Sequence, residues 1–496
     1  MREYRPLNVL FFLLLTCLLL LPIIYFAPSK GYDFFGFNVR FLTWENLLSP
    51  KTQENKNIDF LDGVNISDIN DDSFDLQLES NQTDLGLPTK STVLSIESAS
   101  KLEQNAQAKV NLGNFFEQLK HAASKKEKIS IFHYGDSQIE GDRMTAFIRQ
   151  RLQSEFGGAG PGLIPAINVY NTISFGHAYS ENFRRKIIFG KERLSSNKYG
   201  AMLSAAIFSI DSLSDSKNRP TEAWIELTPS TKGYSRCKAY TNISLFYNDC
   251  QDTCAIDVYV NGKLYQQDSL KTDGLPHKLY YKVEKTPEKL KFVIRSKKSP
   301  TISGIALEGD VGIQMNNIAM RGSSGTQFSS VDIESMSYMH KELNTKLVIL
   351  QFGGNSIPFF KDSSSVRAYS RRFKRQIQLI QKCTPNASII VIGPSDMSQL
   401  QNGIYTTYPF IPYCIEQMKK QTLSAGGSFW SLYNAMGGKD SMYAWVENNL
   451  AGKDYIHFTP KGARKASQLF YDALVAAYGV WNTEKNDESK KEIINE

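Results

Sequence analysis

The spacing of hydrophobic residues changes in the middle of the chain, where helix-like segments give way to short strand-like runs. Few folds accommodate such a change. Between Ala223 and Ile294, short runs rich in β-branched and aromatic residues follow one another, separated by turn residues. Asn261-Gly262 joins two of these runs and is typical of a two-residue hairpin. On both sides of 197–310, strand-like runs alternate with helix-like segments, as in a parallel α/β sheet. The sequence therefore predicts a β-sandwich inserted into an α/β domain.

An apolar segment near the N-terminus has the length of a membrane span. Leu7 to Phe26 contains almost no polar residue and follows Arg2 and Arg5. A helix of about twenty residues crosses the hydrocarbon core, and the flanking positive charges favour a cytoplasmic N-terminus. A cleaved signal peptide is the alternative, but the run exceeds an ordinary signal core and Tyr25-Phe26-Ala27-Pro28 is a poor cleavage site. We expect a single-pass inner-membrane anchor through residues 7–26, with the remaining chain outside the cytoplasm, in a bacterial periplasm.

Composition divides the chain further. The segment 51–107 is rich in Asp, Asn, Ser and Gln and poor in aromatics, as expected of a tether that does not bury a core. The last residues are strongly charged. The predicted organisation is a cytoplasmic stub and anchor (1–28), a membrane-proximal segment and polar linker (29–109), a first α/β part (110–196), the β-sandwich (197–310), a second α/β part (311–482) and a charged tail (483–496).

Charge and cysteine content exclude some functions. A net charge of +7 over 496 residues, with no dense basic stripe, argues against nucleic-acid binding. Cys237, Cys250 and Cys254 cluster in one region, where a single disulfide is the expectation outside the cytoplasm. Zinc is the alternative, but no second Cys/His pair lies at ligand spacing. The sequence predicts neither a metal nor a cofactor.

Polar residues follow directly on two strand-like runs of the α/β parts. The run Ile129 to Tyr134 ends in Gly135-Asp136-Ser137, and the run Leu347 to Phe352 ends in Gly353-Gly354-Asn355. Parallel strands end at one edge of a sheet, where ligands bind, so Ser137, Asn355 and Gly325, which lies in a small-residue loop just after the β insert, should meet there. Helix capping by Ser137 and turn formation by Asn355 are the structural alternatives.

Four short blocks of sequence, in order, resemble those of the SGNH (GDSL-like) hydrolases. They are GDSQ at Ser137, SSGT at Gly325, GGNS at Asn355 and DYIH from Asp454 to His457. The resemblance covers 126–160 and 313–479, and it departs from the family at Gln138, where leucine is frequent, and at Arg321, where asparagine is usual. It implies a three-layer α/β fold with a parallel sheet.

The resemblance also implies a catalytic role for each matching residue. Ser137 would be the nucleophile, His457 the general base and Asp454 the residue that orients the histidine. The N–H groups of Ser137 and Gly325 and the side-chain amide of Asn355 would form the oxyanion hole. The chemistry fits these residue types, because a serine hydroxyl needs an imidazole to remove its proton and the imidazole needs a carboxylate partner.

A membrane-anchored SGNH-like domain with a β insert resembles bacterial envelope esterases that remove O-acetyl groups from peptidoglycan or related glycans. The insert resembles a carbohydrate-binding module, so we expect a separate module that adds binding reach. Trp224, Tyr234, Tyr240 and Tyr247 are candidates for sugar stacking, although strand aromatics also serve as core.

Two other functions remain open at the level of sequence. One is an O-acetyltransferase that uses the same serine to pass acetyl from a membrane-bound acyltransferase partner to a glycan. The other is a catalytically inactive glycan-binding protein, which the complete set of catalytic positions argues against.

Overall fold

The computed structural model describes residues 32–34, 37–39, 101–122, 124–209 and 220–495. The chain divides into two compact units, 1–64 and 65–496. In the first unit, the strands β1 (Tyr32–Phe34) and β2 (Phe37–Val39) pair antiparallel. The predicted anchor at 7–26 lies outside the described residues, as does most of the predicted linker. Within the described ranges, no helix is both long enough and apolar enough to cross a membrane.

The second unit combines a parallel sheet, helices on both faces of that sheet, and an antiparallel β-sandwich. Its helices are α1 (Ala106–Ala122), α2 (Thr145–Phe156), α3 (Ile333–Glu342), α4 (Ser363–Cys383), α5 (Ile411–Ser424), α6 (Leu432–Met436), α7 (Ser441–Glu447) and α8 (Pro460–Asn495). Its strands are β3 (Lys128–Gly135), β4 (Gly162–Ile164), β5 (Phe175–Tyr179), β6 (Phe183–Ile187), β7 (Ser204–Phe208), β8 (Thr221–Pro229), β9 (Asn242–Asn248), β10 (Cys254–Val260), β11 (Lys263–Ser269), β12 (His277–Lys282), β13 (Leu290–Ser296), β14 (Thr301–Glu308), β15 (Gly312–Ala319), β16 (Thr345–Gln351), β17 (Ser388–Ile392), β18 (Ser398–Gln401), β19 (Ile404–Thr407) and β20 (Ser428–Trp430).

The parallel sheet has the order β15-β3-β16-β17-β20. Alternate side chains of β3 enter two different cores, because successive residues of a strand point to opposite faces. Ile129 and Ile131 pack with α1, α2 and α8, whereas Phe132 and Tyr134 pack with α3, α4 and α5. The α/β architecture with a parallel sheet is therefore confirmed, and its helices form layers on both faces.

The β-sandwich begins earlier in the chain than the sequence predicts. Its sheets have the orders β11-β10-β13-β8-β5 and β12-β9-β14-β7-β6, and β4 also pairs with β14. Strands β4, β5 and β6 thus precede the predicted start at Asn197. Strands β5 and β6 escape detection because most of their side chains are only partly buried, so they lack a clear apolar alternation. The Asn261-Gly262 hairpin joins β10 and β11 as predicted.

The insert is not a separate module. Leu163, Met202 and Phe246 of the insert share one apolar core with Phe132 and Met339 of the α/β part. The Tyr134 hydroxyl on the central strand β3 donates a hydrogen bond to the Ala201 carbonyl at 2.8 Å. Because both parts bury the same core, the insert supports the fold of the α/β domain as well as its own.

The glycine-rich junction before the insert is tightly packed. Gly158 and Gly160 both have positive φ, and a Cβ at either position would lie 2.2 Å from a backbone carbonyl oxygen, that of Ile313 or Leu307 respectively. Only glycine permits so close a backbone approach. The junction is therefore held by close backbone packing at both glycines.

Two further expectations are corrected. Cys237, Cys250 and Cys254 are buried free thiols, so the predicted disulfide does not form. The charged tail expected at 483–496 continues α8 as far as Asn495, since its glutamates and lysines are good helix formers.

A buried ion pair fixes the segment that follows β3. Both guanidinium NH groups of Arg149 on α2 donate to Asp142, at 2.6 and 3.2 Å, and its Nε donates to the Met315 carbonyl at 2.7 Å. The Arg149 side chain is 1% exposed and that of Asp142 is 5% exposed. Removing one partner of such a pair leaves an uncompensated buried charge.

We therefore expect Arg149→Met to lower the free energy of unfolding by about 3–5 kcal/mol, measured by urea denaturation. Arg371→Met, on the exposed face of α4, is the matched control and should change it by no more than about 0.5 kcal/mol. A loss below about 1 kcal/mol for Arg149→Met would show that the pair does not anchor this segment.

Candidate active site

Ser137 lies at the carboxyl end of the central strand β3. It opens a 3-10 segment, Ser137–Asp142, that Asp136 caps by accepting the Gln138 backbone N–H at 3.0 Å. Asp136, and not Ser137, therefore caps this segment. The Ser137 hydroxyl has a different partner.

The predicted serine, histidine and aspartate form one hydrogen-bonded chain. Ser137 Oγ lies 2.9 Å from His457 Nε2, and His457 Nδ1 lies 2.7 Å from Asp454 Oδ2. Asp454 Oδ1 also accepts the backbone N–H groups of Ile456 and His457, at 3.0 and 3.1 Å. The carboxylate is therefore fixed by its own loop, and it in turn fixes the orientation of the imidazole.

Gln138 joins the serine loop to the histidine loop, a role that the sequence did not reveal. Its Nε2 donates to the Ile456 carbonyl at 2.7 Å, and its Oε1 accepts the Phe458 backbone N–H at 3.5 Å. These contacts bracket His457 on both sides. The sequence did mark this position, because Gln138 stands where leucine is frequent in the first block of SGNH hydrolases. Only the fold shows which groups its amide contacts.

Asn355 reaches the serine loop from the end of β16. Its Nδ2 donates to Asp136 Oδ2 and to the Ser323 carbonyl, each at 3.1 Å. The side chain therefore lies at the site as predicted, with both hydrogens of the amide directed at protein groups. Asp136 is a second site residue that the sequence analysis did not assign a role.

Gly325 is placed differently from the prediction. Its backbone N–H donates to Ser323 Oγ at 3.1 Å, and Gly325 is absent from the lining of the cleft that holds Ser137. Its φ is +73°, and a Cβ here would lie 2.5 Å from the Phe352 ring. The glycine is thus required for packing against Phe352, and its N–H is not directed at the candidate site.

Ser137, Asn355 and His457 line an open cleft of about 690 Å³. One wall carries apolar side chains, and Phe359 among them is 78% exposed. A largely buried serine paired with a partly exposed histidine, beside an apolar wall and a neighbouring amide, can accommodate a small ester and attack its carbonyl carbon.

The two aspartates of the site have opposite pKa shifts. Burial raises the pKa of Asp136 to about 6, against the lowering effect of the Gln138 N–H and the Asn355 amide. Partial burial would also raise the pKa of Asp454, but the hydrogen bonds and charge of His457 outweigh it and hold this pKa below its usual range. Asp454 is therefore ionised where a histidine base would operate.

Two of the four aromatic side chains proposed to stack on sugars are core residues. Tyr240 and Tyr247 pack inside the sandwich, 3% and 2% exposed.

His133, next to the serine segment, is buried between Gln351 and Thr145 and hydrogen-bonded to both, and burial lowers its pKa to about 4. It has a structural role.

We expect the effect of Asp136→Asn on stability to depend on pH. The folded-state pKa of Asp136, about 6, lies above the ordinary 3.8, so the buried charge costs nothing below about pH 4 and its full amount above pH 6. The free energy of unfolding of the variant, relative to that of the natural protein, should therefore be higher at pH 7.5 than at pH 4.5 by about 2 kcal/mol.

Urea denaturation at both pH values measures this difference. Asp487→Asn, at an exposed position on α8, is the control and should show no such dependence. A stability difference for Asp136→Asn that is equal at the two pH values would contradict the assignment of a buried charge.

Comparison with known proteins shows that the fold is similar to that of a solved structure. No family model and no curated protein matches the chain. Among solved structures, it is similar to a peptidoglycan O-acetylesterase with a TM-score of 0.57, at 21% sequence identity, over 73% of this chain and 95% of that one.

Two carbohydrate esterases match more distantly. A mutant of a family two carbohydrate esterase from Clostridium thermocellum has a TM-score of 0.24 at 11% identity, over 61% of this chain and 97% of that one. A family 2 carbohydrate esterase with a carbohydrate-binding domain, from a Corynascus species (Myceliophthora fergusii), has a TM-score of 0.26 at 14% identity, over 55% of this chain and 99% of that one. At these TM-scores neither adds evidence about the chain. The first match shows that the chain adopts the fold of a peptidoglycan O-acetylesterase, in agreement with the resemblance of its four blocks to SGNH hydrolases.

Proposed function

We propose that this chain is a serine O-acyl esterase that removes acetyl groups from a cell-envelope polysaccharide such as peptidoglycan. The observation that carries the proposal is the hydrogen-bonded chain from Ser137 through His457 to Asp454. A catalytically inactive glycan-binding protein would not require this geometry at an open cleft.

The reaction proceeds through an acyl-enzyme. Ser137 Oγ attacks the ester carbonyl carbon while His457 Nε2 takes the hydroxyl proton, and Asp454 stabilises the imidazolium. The bond between the carbonyl carbon and the sugar oxygen then breaks, and His457 returns the proton to that oxygen. Water, deprotonated by the same histidine, attacks the acyl carbon; the bond to Ser137 Oγ then breaks, acetate leaves, and His457 returns the proton to Oγ.

The negative charge on the tetrahedral intermediate needs hydrogen-bond donors. We assign Asn355 as one of them, together with the Ser137 backbone N–H. Both Asn355 amide hydrogens are engaged with Asp136 and Ser323, so donation to the oxyanion requires one of these bonds to be exchanged. The exchange favours the transition state, because a charged acceptor makes a stronger hydrogen bond than a neutral carbonyl.

The glycan substrate is supported by the likeness of this fold to a peptidoglycan O-acetylesterase. The apolar segment 7–26 supports an extracytoplasmic position on the inner membrane, where such a glycan would be met. Full recovery of the chain in the soluble fraction after cell breakage would contradict the anchor.

We expect Ser137→Ala to lower the release of acetate from O-acetylated peptidoglycan and from p-nitrophenyl acetate by about 10⁴-fold or more, because no other group replaces the nucleophile. Ser395→Ala, which removes another hydroxyl lining the same cleft, is the matched control and should retain most of the turnover. Full activity of the Ser137 variant would refute the nucleophile.

The same assay separates hydrolysis from transfer. With acceptor glycan present, an esterase releases the acetyl group as acetate, whereas an acetyltransferase forms acetylated acceptor at the expense of acetate. Transfer that exceeds hydrolysis would replace the esterase by the acetyltransferase alternative while leaving Ser137 as nucleophile.

We expect Asn355→Ala to lower kcat by about 10²–10³ with little change in KM, since its hydrogen bond strengthens in the transition state. Asn355→Asp should be at least as damaging, because a new carboxylate would face both the oxyanion and Asp136. Steady-state kinetics and melting curves on both variants make the test. Retained kcat in the Asp variant, with reduced melting temperature in the Ala variant, would make Asn355 a structural residue.

A further inference from the structure

A second cleft lies where the serine segment, the loop of the second block and the β-sandwich meet. Two adjoining hollows share Tyr170, Arg185 and Ser204, and the larger has an open volume of about 590 Å³. Glu140 lines the larger hollow and Arg321 the smaller one. We call this region the arginine cleft and define it by Glu140, Tyr170, Arg185 and Arg321.

The charges of the arginine cleft do not cancel. Asp142 and Arg149, which also line the larger hollow, neutralise each other in the buried pair described above. Glu140 is then the remaining acidic residue that lines the two hollows, and Arg185 and Arg321 are the remaining basic ones. Arg321 Nε lies 3.2 Å from Glu140 Oε2 without hydrogen-bond geometry. Among the described carboxylates, none lies within ion-pair distance of Arg185.

Tyr170 holds the two guanidinium groups in place. The Arg321 guanidinium carbon lies 5.3 Å from the centre of the Tyr170 ring, and that of Arg185 lies 5.9 Å from it. Stacking on an aromatic face restricts an arginine side chain and leaves its N–H groups at the edge available to a planar acceptor. Burial lowers the pKa of Arg185, which indicates partial desolvation of its charge. An arginine in this state binds an anion more strongly than a fully solvated one does.

The arginine cleft is adjacent to the proposed site of catalysis. Glu140 lies three residues after Ser137 in the same 3-10 segment, so their Cα atoms are at most about 11 Å apart. Arg185 comes from β6 of the sandwich, and Arg321 from the loop of the second block. The serine segment thus lines the cleft of the candidate active site with Ser137 and the arginine cleft with Glu140, and a glycan with its ester at Ser137 would extend a neighbouring substituent towards the arginine cleft.

We propose that the arginine cleft binds a carboxylate carried by the glycan close to its acetyl ester. The two positive charges of Arg185 and Arg321 and the negative charge of Glu140 give the cleft a net charge of +1. This charge suits a singly charged carboxylate better than a doubly charged phosphate. Two guanidinium groups that contact the same ring offer planar donors of the kind that carboxylates accept. This inference rests on the proposed esterase function and names the class of glycan, an acidic one.

The test compares KM values for an acidic and a neutral acetylated glycan. Arg185→Gln should raise KM on O-acetylated muramoyl glycan with a free lactyl carboxylate by about 10- to 100-fold relative to its KM on acetylated xylan, because a charged hydrogen bond contributes about 1.5–3 kcal/mol. Arg321→Gln should give the same shift from the other side of the cleft. An O-acetylated uronate polymer serves as a second acidic substrate. Comparing it with the muramoyl glycan shows whether the cleft binds a carboxylate on a lactyl group or one on the sugar ring.

Arg184→Gln is the matched control. It removes the same charge one residue earlier, at an exposed position where the guanidinium donates to the Glu181 and Phe183 carbonyls. It should leave the ratio of the two KM values unchanged. Equal KM changes on acidic and neutral glycans for Arg185→Gln would overturn the carboxylate site.

A binding measurement keeps the two proposals separate. Calorimetry with Ser137→Ala protein and deacetylated acidic glycan requires no turnover, and binding that is lost with the additional Arg185→Gln change supports the arginine cleft. A natural protein inactive on every ester, with this binding intact, would refute the esterase and not the cleft. Absence of arginine-dependent binding to either acidic glycan would refute the cleft and not the esterase.

Discussion

Strand β3 is hydrogen-bonded to parallel neighbours on both sides, β15 and β16, and this pairing fixes the positions of Ser137, Ser323 and Asn355 relative to one another. Parallel strands that lie side by side end at the same edge. The end of β3 supplies Asp136 and Ser137, the loop after β15 supplies Ser323, and the end of β16 supplies Asn355. Shifting β3 by one residue would turn its side chains to the opposite faces and remove Ile129 and Phe132 from their cores. The site is therefore held by the same packing that stabilises the sheet.

Side-chain hydrogen bonds carry that rigidity from the sheet to the loops. The buried Arg149–Asp142 pair fixes the far end of the serine segment against α2 and β15. Gln138 fixes its beginning against the histidine loop. Both contacts are charge-assisted or buried, so they constrain geometry more strongly than an exposed contact would. A serine and a histidine far apart in sequence can stay at 2.9 Å only if both of their loops are constrained in this way.

The β-sandwich supports the α/β part through packing, and we propose that it also contributes a charge for substrate binding. It shares an apolar core with the α/β part, so Arg185 on β6 is held in a defined position relative to the serine segment. Two of the aromatic side chains that suggested sugar stacking are instead buried inside the sandwich. The glycan recognition that we propose for this insert therefore rests on the partly desolvated Arg185 guanidinium and not on aromatic faces, and it would distinguish acidic from neutral glycans.

The local pattern of residues was enough to predict the strands β3 and β16, the inserted β region, and the positions of Ser137 and Asn355 at strand ends, whereas Asp454 and His457 were expected from the resemblance of the four blocks to SGNH hydrolases. These predictions succeed because apolar periodicity, turn residues and polar strand ends are properties of short segments. The start of the sandwich, the packing of Gly158 and Gly160, the contacts of Gln138 and the environment of Gly325 were not predictable in this way. Each depends on a partner distant in sequence, such as Ile313 beside Gly158 or Ile456 beside Gln138. Only the folded chain brings these partners together, so only the tertiary structure decides which backbone groups face the site and which are used for packing.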